Sequence, residues 1–340
     1  MTAIPTRPLG RAGAAVSEIG LGGAPLGDLF EVIEESTAQQ ILGAAWDEGV
    51  RYFDTAPFYG YGKSEHRVGH FLRQQERPQF ACSTKVGRVL RPTDDPSSFD
   101  SGFWAGGLPF DLEFDYSYDG IMRSFEDSLQ RLALPSVEYL IIHDLDFWFH
   151  LTESKVQAYL DQLATSGWRA LERLRSSGVI KGVGAGINEM GMMPRFLEMV
   201  DLDFFLVALP YTLLDQEVLE MEFPQCDERG VRVVIGAVFA SGILATGPVE
   251  GSKYKYAPAE ADVLEKTRKI EAVCSRHGTP LAAAALQLPL AHPIVSAVIP
   301  GALAPEHVQQ NLHLYRHAIP ADLWSELKSS GLLRQDAPTP

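Results

Sequence analysis

Short apolar runs alternate with amphipathic stretches along most of the chain. Within residues 36–48, apolar side chains recur at helical spacing, and Gly49 follows at a position where helices often end. The next apolar run, at Tyr52 and Phe53, suits a short buried strand, and this strand ends at an acid, Asp54. The repeated alternation of the two patterns predicts an α/β protein.

About eight strand–helix units can be placed along the 340 residues. This number is typical of a (β/α)8 TIM barrel, and no linker divides the chain, so we predict a single barrel domain over residues 1–340. Residues 7–17 are turn-prone and could form an N-terminal hairpin at the barrel base, and the tail 334–340 is expected to be frayed. The predicted strands are 18–23, 52–54, 80–85, 137–144, 180–186, 204–209, 231–237 and 296–301, and the predicted helices are 36–48, one from residue 64, 119–132, 168–177, 216–228, 259–277, 280–290 and 306–317.

A long loop is predicted after the third strand, because residues 86–119 show no clear period. Loops of this length in compact domains are usually functional or disordered, and dense aromatic residues argue against disorder. We therefore interpret the loop as a lid or pocket wall over one end of the barrel, although an aromatic loop that merely covers helices is the alternative. Its aromatic residues are Phe99, Phe103, Trp104, Phe110, Phe114, Tyr116 and Tyr118.

Composition limits the possible partners. The net charge of −15 disfavours nucleic acid and anionic membrane surfaces. The three cysteines are widely spaced, which indicates reduced thiols rather than a disulfide framework. No apolar run has the length of a membrane-spanning helix, and the first ten residues lack the layout of a signal peptide, so we expect a cytoplasmic protein.

Polar residues with possible chemistry lie where successive predicted strands end. Asp54 ends the second strand, Tyr59 follows in the next loop, Lys85 ends the third strand and His143 ends the fourth. Taken singly, each has a common structural role, such as a helix cap, a solvated charge or a packed ring. Their equivalent positions favour a shared site, because the active sites of α/β barrels lie at the C-terminal ends of the strands.

In order and context, these four residues resemble the catalytic tetrad of the aldo-keto reductases. The matching segments are Phe53-Asp54-Thr55-Ala56 with Tyr59-Gly60, Ser83-Thr84-Lys85-Val86-Gly87, and Ile141-Ile142-His143. Further segments are similar to the NAD-dependent aldose 1-dehydrogenases, of the L-fucose or D-threo-aldose type, and to the pyridoxal 4-dehydrogenases; these are 102–104, 114–120 and 123–129. The resemblance covers most of the chain and implies a barrel that transfers hydride to or from a nicotinamide.

The resemblance implies a role for each of the four residues. Tyr59 would transfer the proton of the substrate oxygen. The pKa of a free tyrosine is about 10, which is too high for efficient proton transfer near neutral pH. Lys85 would lower that pKa by stabilising the phenolate, while Asp54 would hold Lys85 in place. His143 would form a hydrogen bond to the substrate oxygen.

The resemblance also implies the cofactor contacts, with some departures. The segment 300–307 contains no Lys or Arg to hold the 2′-phosphate of NADP, and Glu306 would repel that phosphate, so NAD is expected rather than NADP. In the family, a Ser-Asn pair usually contacts the nicotinamide amide, and here only Asn188 of that pair is present. Ala208 stands where the family usually has Gln on the sixth strand. The loop 239–244 would contact the pyrophosphate. The predicted cofactor residues are Gly23, Asn188, Ser241, Gly242, Leu244, Gly301, His307 and Asn311.

Four functions remain open from the sequence. The first is NAD-dependent oxidation of the hemiacetal C1 of a free aldose to a lactone, and the second is the same step on pyridoxal. The third is a general aldehyde reductase, and the fourth is a barrel that binds without catalysis, which the intact tetrad disfavours. Trp104, Tyr116 and Trp148 are predicted substrate-pocket walls, with core packing as the alternative for Trp148.

Other catalytic classes lack their sequence patterns. The nine histidines include no HxH or HExxH pair, so no metal site is predicted. A phosphate-binding P-loop is missing, and Ala240-Ser241-Gly242 lacks the first glycine of a serine hydrolase GxSxG motif. The expected partner is therefore a small-molecule substrate.

Overall fold

The strands form a barrel with three small additional sheets. The computed structural model describes residues 3–10 and 14–340. In chain order the strands are β1 (Thr6–Pro8), β2 (Ala15–Ser17), β3 (Leu21–Gly22), β4 (Tyr52–Asp54), β5 (Ala81–Val86), β6 (Arg88–Pro92), β7 (Phe110–Phe114), β8 (Tyr139–His143), β9 (Gly182–Ile187), β10 (Phe204–Val207), β11 (Arg232–Ile235), β12 (Lys253–Tyr254), β13 (Ala257–Pro258) and β14 (Val295–Val298).

Helices follow most of the barrel strands and pack around the sheet. They are α1 (Glu35–Asp47), α2 (Lys63–Leu72), α3 (Tyr118–Leu132), α4 (Phe147–His150), α5 (Glu153–Gln162), α6 (Trp168–Ser176), α7 (Met192–Met199), α8 (Glu222–Glu228), α9 (Ile243–Thr246), α10 (Ala261–Arg276), α11 (Leu281–Gln287), α12 (Pro305–Tyr315) and α13 (Ala321–Ser329). Among the described residues, none of these helices is both long and apolar enough to cross a lipid bilayer.

The main sheet is parallel and closes on itself. Its strand order is β14-β11-β10-β9-β8-β5-β4-β3, and a parallel bridge joins Ile19 to Val298 across the remaining gap. The Gly20 amide donates to the Val298 carbonyl at 2.9 Å, and the Val298 amide donates to the Glu18 carbonyl at 2.9 Å. These contacts confirm the predicted (β/α)8 barrel. A Cβ at Gly20 would lie 2.7 Å from the Ile299 side chain, so this close approach requires glycine.

The N-terminal hairpin closes the base of the barrel, as predicted. Strands β1 and β2 pair antiparallel, with Thr6 opposite Ser17, while residues 11–13 of the predicted hairpin lie outside the described part of the chain. Leu9 is fully buried in a cluster with large residues of the barrel interior, and the Tyr139 phenol donates to the Leu9 carbonyl at 3.1 Å. A filled base leaves the opposite end for ligands.

The segment after β5 differs from the prediction. It contains an antiparallel hairpin in which Arg88 on β6 faces Phe114 on β7, so the expectation of a long irregular loop is wrong for these strands. The signal was present in the sequence, because residues 110–114 (Phe-Asp-Leu-Glu-Phe) alternate strictly between apolar and acidic residues. The remainder of the segment crosses the barrel mouth, where Trp104 forms a bridge to Leu29.

The C-terminal tail is packed rather than frayed, so that prediction is wrong. Ala337 is 1% exposed and belongs to an apolar cluster that includes Trp324 of α13. The Arg334 amide donates to the Gln216 side chain at 3.4 Å. Burial of Ala337 gives the tail a tertiary anchor that local composition does not reveal. The predicted helix 216–228 is interrupted, since its regular α-helical part is α8.

Candidate active site

The predicted acid and amine form a buried pair on neighbouring strands. Lys85 and Asp54 are each 1% exposed, and the Lys85 Nζ lies 2.6 Å from the Asp54 Oδ2. Lys85 also donates to the Thr55 carbonyl at 2.9 Å, and the Ser83 hydroxyl donates to the Asp54 Oδ1 at 2.7 Å. Because partners satisfy both charged groups, their burial is tolerated. The pair fixes a cation beside the barrel mouth.

Tyr59 lies next to this cation at the cavity wall. The Lys85 Nζ is 4.4 Å from the centre of the Tyr59 ring. The described residues provide no hydrogen-bond partner for the phenol, which leaves it available to a ligand. The loop reaches this position because Gly60 has φ +64° and touches Gly27, where a Cβ on Gly60 would lie 2.5 Å from the Gly27 carbonyl oxygen.

The pKa of Tyr59 differs in direction from the sequence expectation. Burial raises the pKa of the phenol well above its usual value, Asp54 and Asp144 raise it further, and Arg88 opposes them. The expected lowering of this pKa by Lys85 is not seen, and that role of Lys85 stays a prediction. Desolvation of the phenolate outweighs the attraction of Arg88, so the phenol is protonated at neutral pH.

His143 presents a neutral imidazole to the same cavity. Its ring centre lies 5.9 Å from that of Tyr59, and its backbone carbonyl accepts a hydrogen bond from the Tyr116 phenol at 2.7 Å. Burial lowers the pKa of His143 well below its usual value, and Arg88 and Lys85 lower it further. The His143 Nε2 lies 3.1 Å from the Asp144 Oδ2, and the buried Nδ1 of the ring has no hydrogen-bond partner among the described residues.

Arg88 and Asp144 form a second buried ion pair, which no sequence pattern predicted. The Arg88 guanidinium contacts the Asp144 carboxylate and lies among three aromatic rings, with its Cζ 3.9 Å from the centre of Phe58, 4.4 Å from Phe149 and 4.6 Å from Phe114. Asp144 has φ +49°, a conformation that Asp adopts more readily than most residues. Arg88 comes from β6, so this pair depends on the unpredicted hairpin.

These groups border a cavity of about 700 Å³, counting its open mouth. Trp104 and Trp148 lie in its wall, whereas Tyr116 does not. Tyr116 is fully buried behind His143, so its predicted place at the pocket wall is wrong. Most wall residues are apolar or aromatic; the full set is Ala24, Leu29, Phe58, Tyr59, Lys85, Phe103, Trp104, His143, Asp144, Trp148, Phe149, Gly186, Ile187, Asn188, Leu206, Ala208 and Tyr256.

Tyr256 reaches the cavity from the small β12–β13 hairpin. Lys255 and Tyr256 form its turn with φ of +51° and +62°, and the Tyr256 amide donates to the Ser241 hydroxyl at 3.0 Å. Two-residue turns of this handedness normally use Asn or Gly, so Lys255 and Tyr256 carry no local signal for a turn. Tyr256 also packs edge-on against Trp148, with ring centres 6.2 Å apart. The hairpin thus narrows the cavity mouth.

The predicted cofactor residues divide between the cavity wall and the segments that follow three barrel strands, β3, β11 and β14. Asn188 is in the wall, and its amide nitrogen donates to Asp144 and Asp146, each at 2.9 Å. Gly23 is not in the wall; its amide donates to the Asp54 carbonyl at 2.7 Å, and a Cβ would lie 2.5 Å from that oxygen. Gly23 therefore lets the first two barrel strands approach each other.

The loop after β11 uses some of its expected donors internally. The amides of Gly242 and Leu244 both donate to the Phe239 carbonyl, at 3.0 and 3.1 Å, and the Leu244 side chain is fully buried. The predicted pyrophosphate contacts through these two amides thus have competing partners. Ser241 has φ +61°, and its hydroxyl is the acceptor for the Tyr256 amide.

The remaining predicted contacts surround the start of α12. The Asn311 amide nitrogen lies 3.5 Å from the Gly301 carbonyl, and Asn311 is 8% exposed. The exposed His307 ring accepts from the Leu303 amide at 3.3 Å. Glu306 occupies the first turn of the helix. Within residues 3–10 and 14–340, no group of three or more His, Cys, Asp or Glu side chains could hold a metal ion.

Comparison with known proteins agrees with this geometry. The model of the Aldo/keto reductase family matches residues 18–331, and the chain belongs to that family. It is 44% identical to a pyridoxal 4-dehydrogenase of Microbacterium luteolum, over 96% of this chain and 97% of the relative. It is 37% identical to a D-threo-aldose 1-dehydrogenase of a Pseudomonas species, over 97% of each chain.

A solved structure supports the same fold. The holo form of an aldo-keto reductase from Bacillus halodurans superposes with a TM-score of 0.72, at 25% identity and over 96% of each chain. The family membership and the barrel inferred from the sequence are thereby confirmed, and the chain is an oxidoreductase.

Proposed function

We propose that this aldo-keto reductase is an NAD-dependent dehydrogenase that oxidises the hemiacetal carbon of a cyclic substrate to a lactone, with pyridoxal as the preferred substrate. The principal support is the cavity, whose walls are largely apolar and carry six Phe, Trp and Tyr rings besides the free Tyr59 phenol. A flat pyridine ring can stack on such walls over its whole face. The relative with 44% identity is named for the same substrate.

In this proposal, Tyr59 accepts the proton of the hemiacetal hydroxyl while hydride leaves the same carbon, and the C–O bond becomes the lactone carbonyl. When bound, the nicotinamide supplies the hydride acceptor. Lys85, 4.4 Å from the Tyr59 ring centre, stabilises the developing phenolate, and Asp54 holds Lys85 at 2.6 Å. The neutral His143 positions the substrate oxygen through a hydrogen bond.

The residues present fit a nicotinamide cofactor, and they fit NAD better than NADP. The cavity wall has small residues at Gly186 and Ala208, which leave room for a flat ring. At the start of α12, the first turn carries the acidic Glu306, and no Lys or Arg lies within residues 300–307. A 2′-phosphate at this position would meet a like charge without a compensating cation.

The experiment that tests the proposal is a substrate comparison followed by NADH absorbance at 340 nm. Pyridoxal, L-fucose, D-arabinose, L-galactose and D-glucose are each supplied with NAD. We expect kcat/KM for pyridoxal to exceed that for every sugar by at least about tenfold, since a well-filled apolar pocket discriminates on this scale. A sugar that is oxidised faster than pyridoxal would contradict the preference.

Aldose oxidation is the second candidate. It is supported by the 37% identity to a D-threo-aldose 1-dehydrogenase over nearly the whole chain. The same four residues would perform the same step on the C1 hydroxyl of a sugar ring. Strong turnover of L-fucose or D-arabinose with NAD, and none of pyridoxal, would make it the function.

A further inference from the structure

Asp144 contributes a carboxylate to a cavity wall that is mostly apolar. It lies in the same cavity as Tyr59 and His143, and its Oδ2 is 3.1 Å from the His143 Nε2. A substrate whose reacting oxygen lies between Tyr59 and His143 therefore brings its neighbouring atoms close to this carboxylate. The proposed reaction at Tyr59 assigns no role to Asp144.

The carboxylate has acceptor capacity left over. Its Oδ1 accepts from Asn188 at 2.9 Å, and its Oδ2 lies within reach of Arg88 and His143. An ionised carboxylate offers about four lone-pair positions, so three such contacts leave roughly one acceptor position. Asp144 forms part of the cavity wall, so a ligand can use that position.

Arg88 favours the ionised form of the Asp144 carboxylate. Arg88 is 2% exposed, and its guanidinium lies among the rings of Phe58, Phe149 and Phe114. Water therefore does not replace Asp144 as the partner of this cation. Burial raises the pKa of Asp144, whereas Arg88 and the hydrogen bond from Asn188 oppose that rise. A buried ion pair seldom stabilises a protein more than apolar residues of the same volume would. A role in ligand selection accounts for its presence beside the cavity.

We propose that Asp144 is a specificity-determining residue, and this proposal rests on the proposed function. Its carboxylate accepts a hydrogen bond from a substrate hydroxyl adjacent to the reacting centre. In pyridoxal this group is the ring hydroxyl beside the hemiacetal-bearing carbon, which carries its proton in the uncharged tautomer that an apolar cavity favours over the zwitterion. In an aldose it is the hydroxyl on C2. Arg88 and Asn188 act as positioning residues, because they hold the carboxylate but are bonded to its other lone pairs. A substrate without this hydroxyl would leave a buried charge poorly satisfied.

The test compares pyridoxal with 3-deoxypyridoxal in the wild-type enzyme and in Asp144→Asn. The wild type should favour the hydroxylated substrate by about 30-fold in kcat/KM, the size expected for a hydrogen bond to a charged acceptor. Asp144→Asn should reduce that ratio to about threefold or less, because a neutral amide is a weaker acceptor; a change at His143 or Arg88 acts on both substrates alike and leaves the ratio as it was. An equal loss on both substrates would mean that Asp144 is only structural and would overturn the proposal.

Two further measurements keep the proposal falsifiable. Equal turnover of both substrates by the wild type would refute it even if Asp144→Asn does not fold. Binding of the same two compounds can be followed by quenching of the fluorescence of Trp104 and Trp148, which lie in the cavity wall. If neither compound is oxidised but Asp144→Asn selectively weakens binding of pyridoxal, the proposed reaction fails and the role of Asp144 stands. If neither compound is oxidised and the wild type binds both equally, both proposals fail.

Discussion

Two buried ion pairs border the same cavity, and they differ in how the chain builds them. Lys85 and Asp54 lie on adjacent parallel strands and share polar partners from those strands. Arg88 comes from the inserted hairpin and meets Asp144 just beyond a barrel strand, with aromatic rings around the cation. The sheet register fixes the first pair, whereas tertiary packing of an insertion fixes the second.

The two ion pairs have different proposed roles, the first in catalysis and the second in substrate selection. The first pair lies beside the Tyr59 ring, where its cation stabilises a phenolate in the proposed reaction. The second pair places a carboxylate in the wall, where it meets the substrate away from the proposed proton transfer. We therefore expect changes in the first pair to affect all substrates, and changes in the second pair to affect substrates differently.

The largest expected effect comes from removing the phenol between the two pairs. Tyr59→Phe should lower kcat for pyridoxal oxidation by roughly 10²–10⁴-fold, the usual contribution of general acid–base catalysis. NADH formation at 340 nm gives the rate, and NADH binding should persist. The matched control is Tyr61→Phe, because the phenol of Tyr61 lies outside the cavity wall. Unchanged turnover in Tyr59→Phe would remove the central role given to this residue.

Removing one member of the second pair should strongly destabilise the fold. Arg88→Met leaves the Asp144 carboxylate buried and without its cation, which typically costs about 3–5 kcal/mol in the free energy of unfolding. Urea unfolding measures this difference. Arg91→Met is the control on the same strand, since Arg91 forms an exposed pair with Glu113, and about 0.5 kcal/mol or less is expected.

The double replacement Arg88→Met/Asp144→Asn sharpens the same comparison. It should recover most of the lost stability, because no unpaired charge remains and Asn tolerates the φ of +49° at position 144. It should also retain turnover of 3-deoxypyridoxal, whereas Lys85→Met/Asp54→Leu should recover stability but lose activity on every substrate. Equal activity profiles in the two double variants would contradict the separation of roles.

The pH dependence of oxidation reports on the Tyr59 environment. Burial raises the pKa of Tyr59, so the deprotonated base is scarce at neutral pH and increases tenfold with each pH unit below that pKa. We expect log kcat/KM for oxidation to rise with pH at a slope near 1 from pH 7 to about pH 9. A plateau beginning near pH 7 would instead indicate a lowered pKa in the working enzyme.

The smallest expected effect concerns the cofactor. We expect kcat/KM for NAD to exceed that for NADP by about tenfold, which corresponds to roughly 1.4 kcal/mol. Glu306→Lys should narrow the ratio, because it replaces a repelling charge with an attracting one in the first turn of α12. Glu260→Lys is a control on the surface before α10. A preference for NADP in the unaltered protein would contradict the assignment.

The sequence was most informative where local pattern and barrel geometry agree. Asp54, Lys85 and His143 could be placed together because parallel strands bring their C-terminal ends to one face. Arg88 and Tyr256 could not be placed, because each depends on how an insertion folds back over the barrel. The turn at Lys255 and Tyr256 has no Asn or Gly, so its left-handed backbone leaves no local signal.

Burial also changed what the sequence suggested about individual residues. Tyr116 belongs to an aromatic segment near the cavity, yet its phenol is directed to the His143 carbonyl at 2.7 Å and not to the wall. Ala337 lies in a polar, proline-containing tail, yet it packs in an apolar cluster. In both cases tertiary contacts outweigh local composition.

The most direct test of the proposed reaction is the product formed from pyridoxal with NAD. Mass spectrometry identifies the product, and absorbance at 340 nm counts NADH in the same sample. The account predicts one lactone for each NADH formed, because hydride and proton leave the same hemiacetal centre. Formation of the open carboxylic acid without a lactone, or conversion of pyridoxal without NADH, would contradict it.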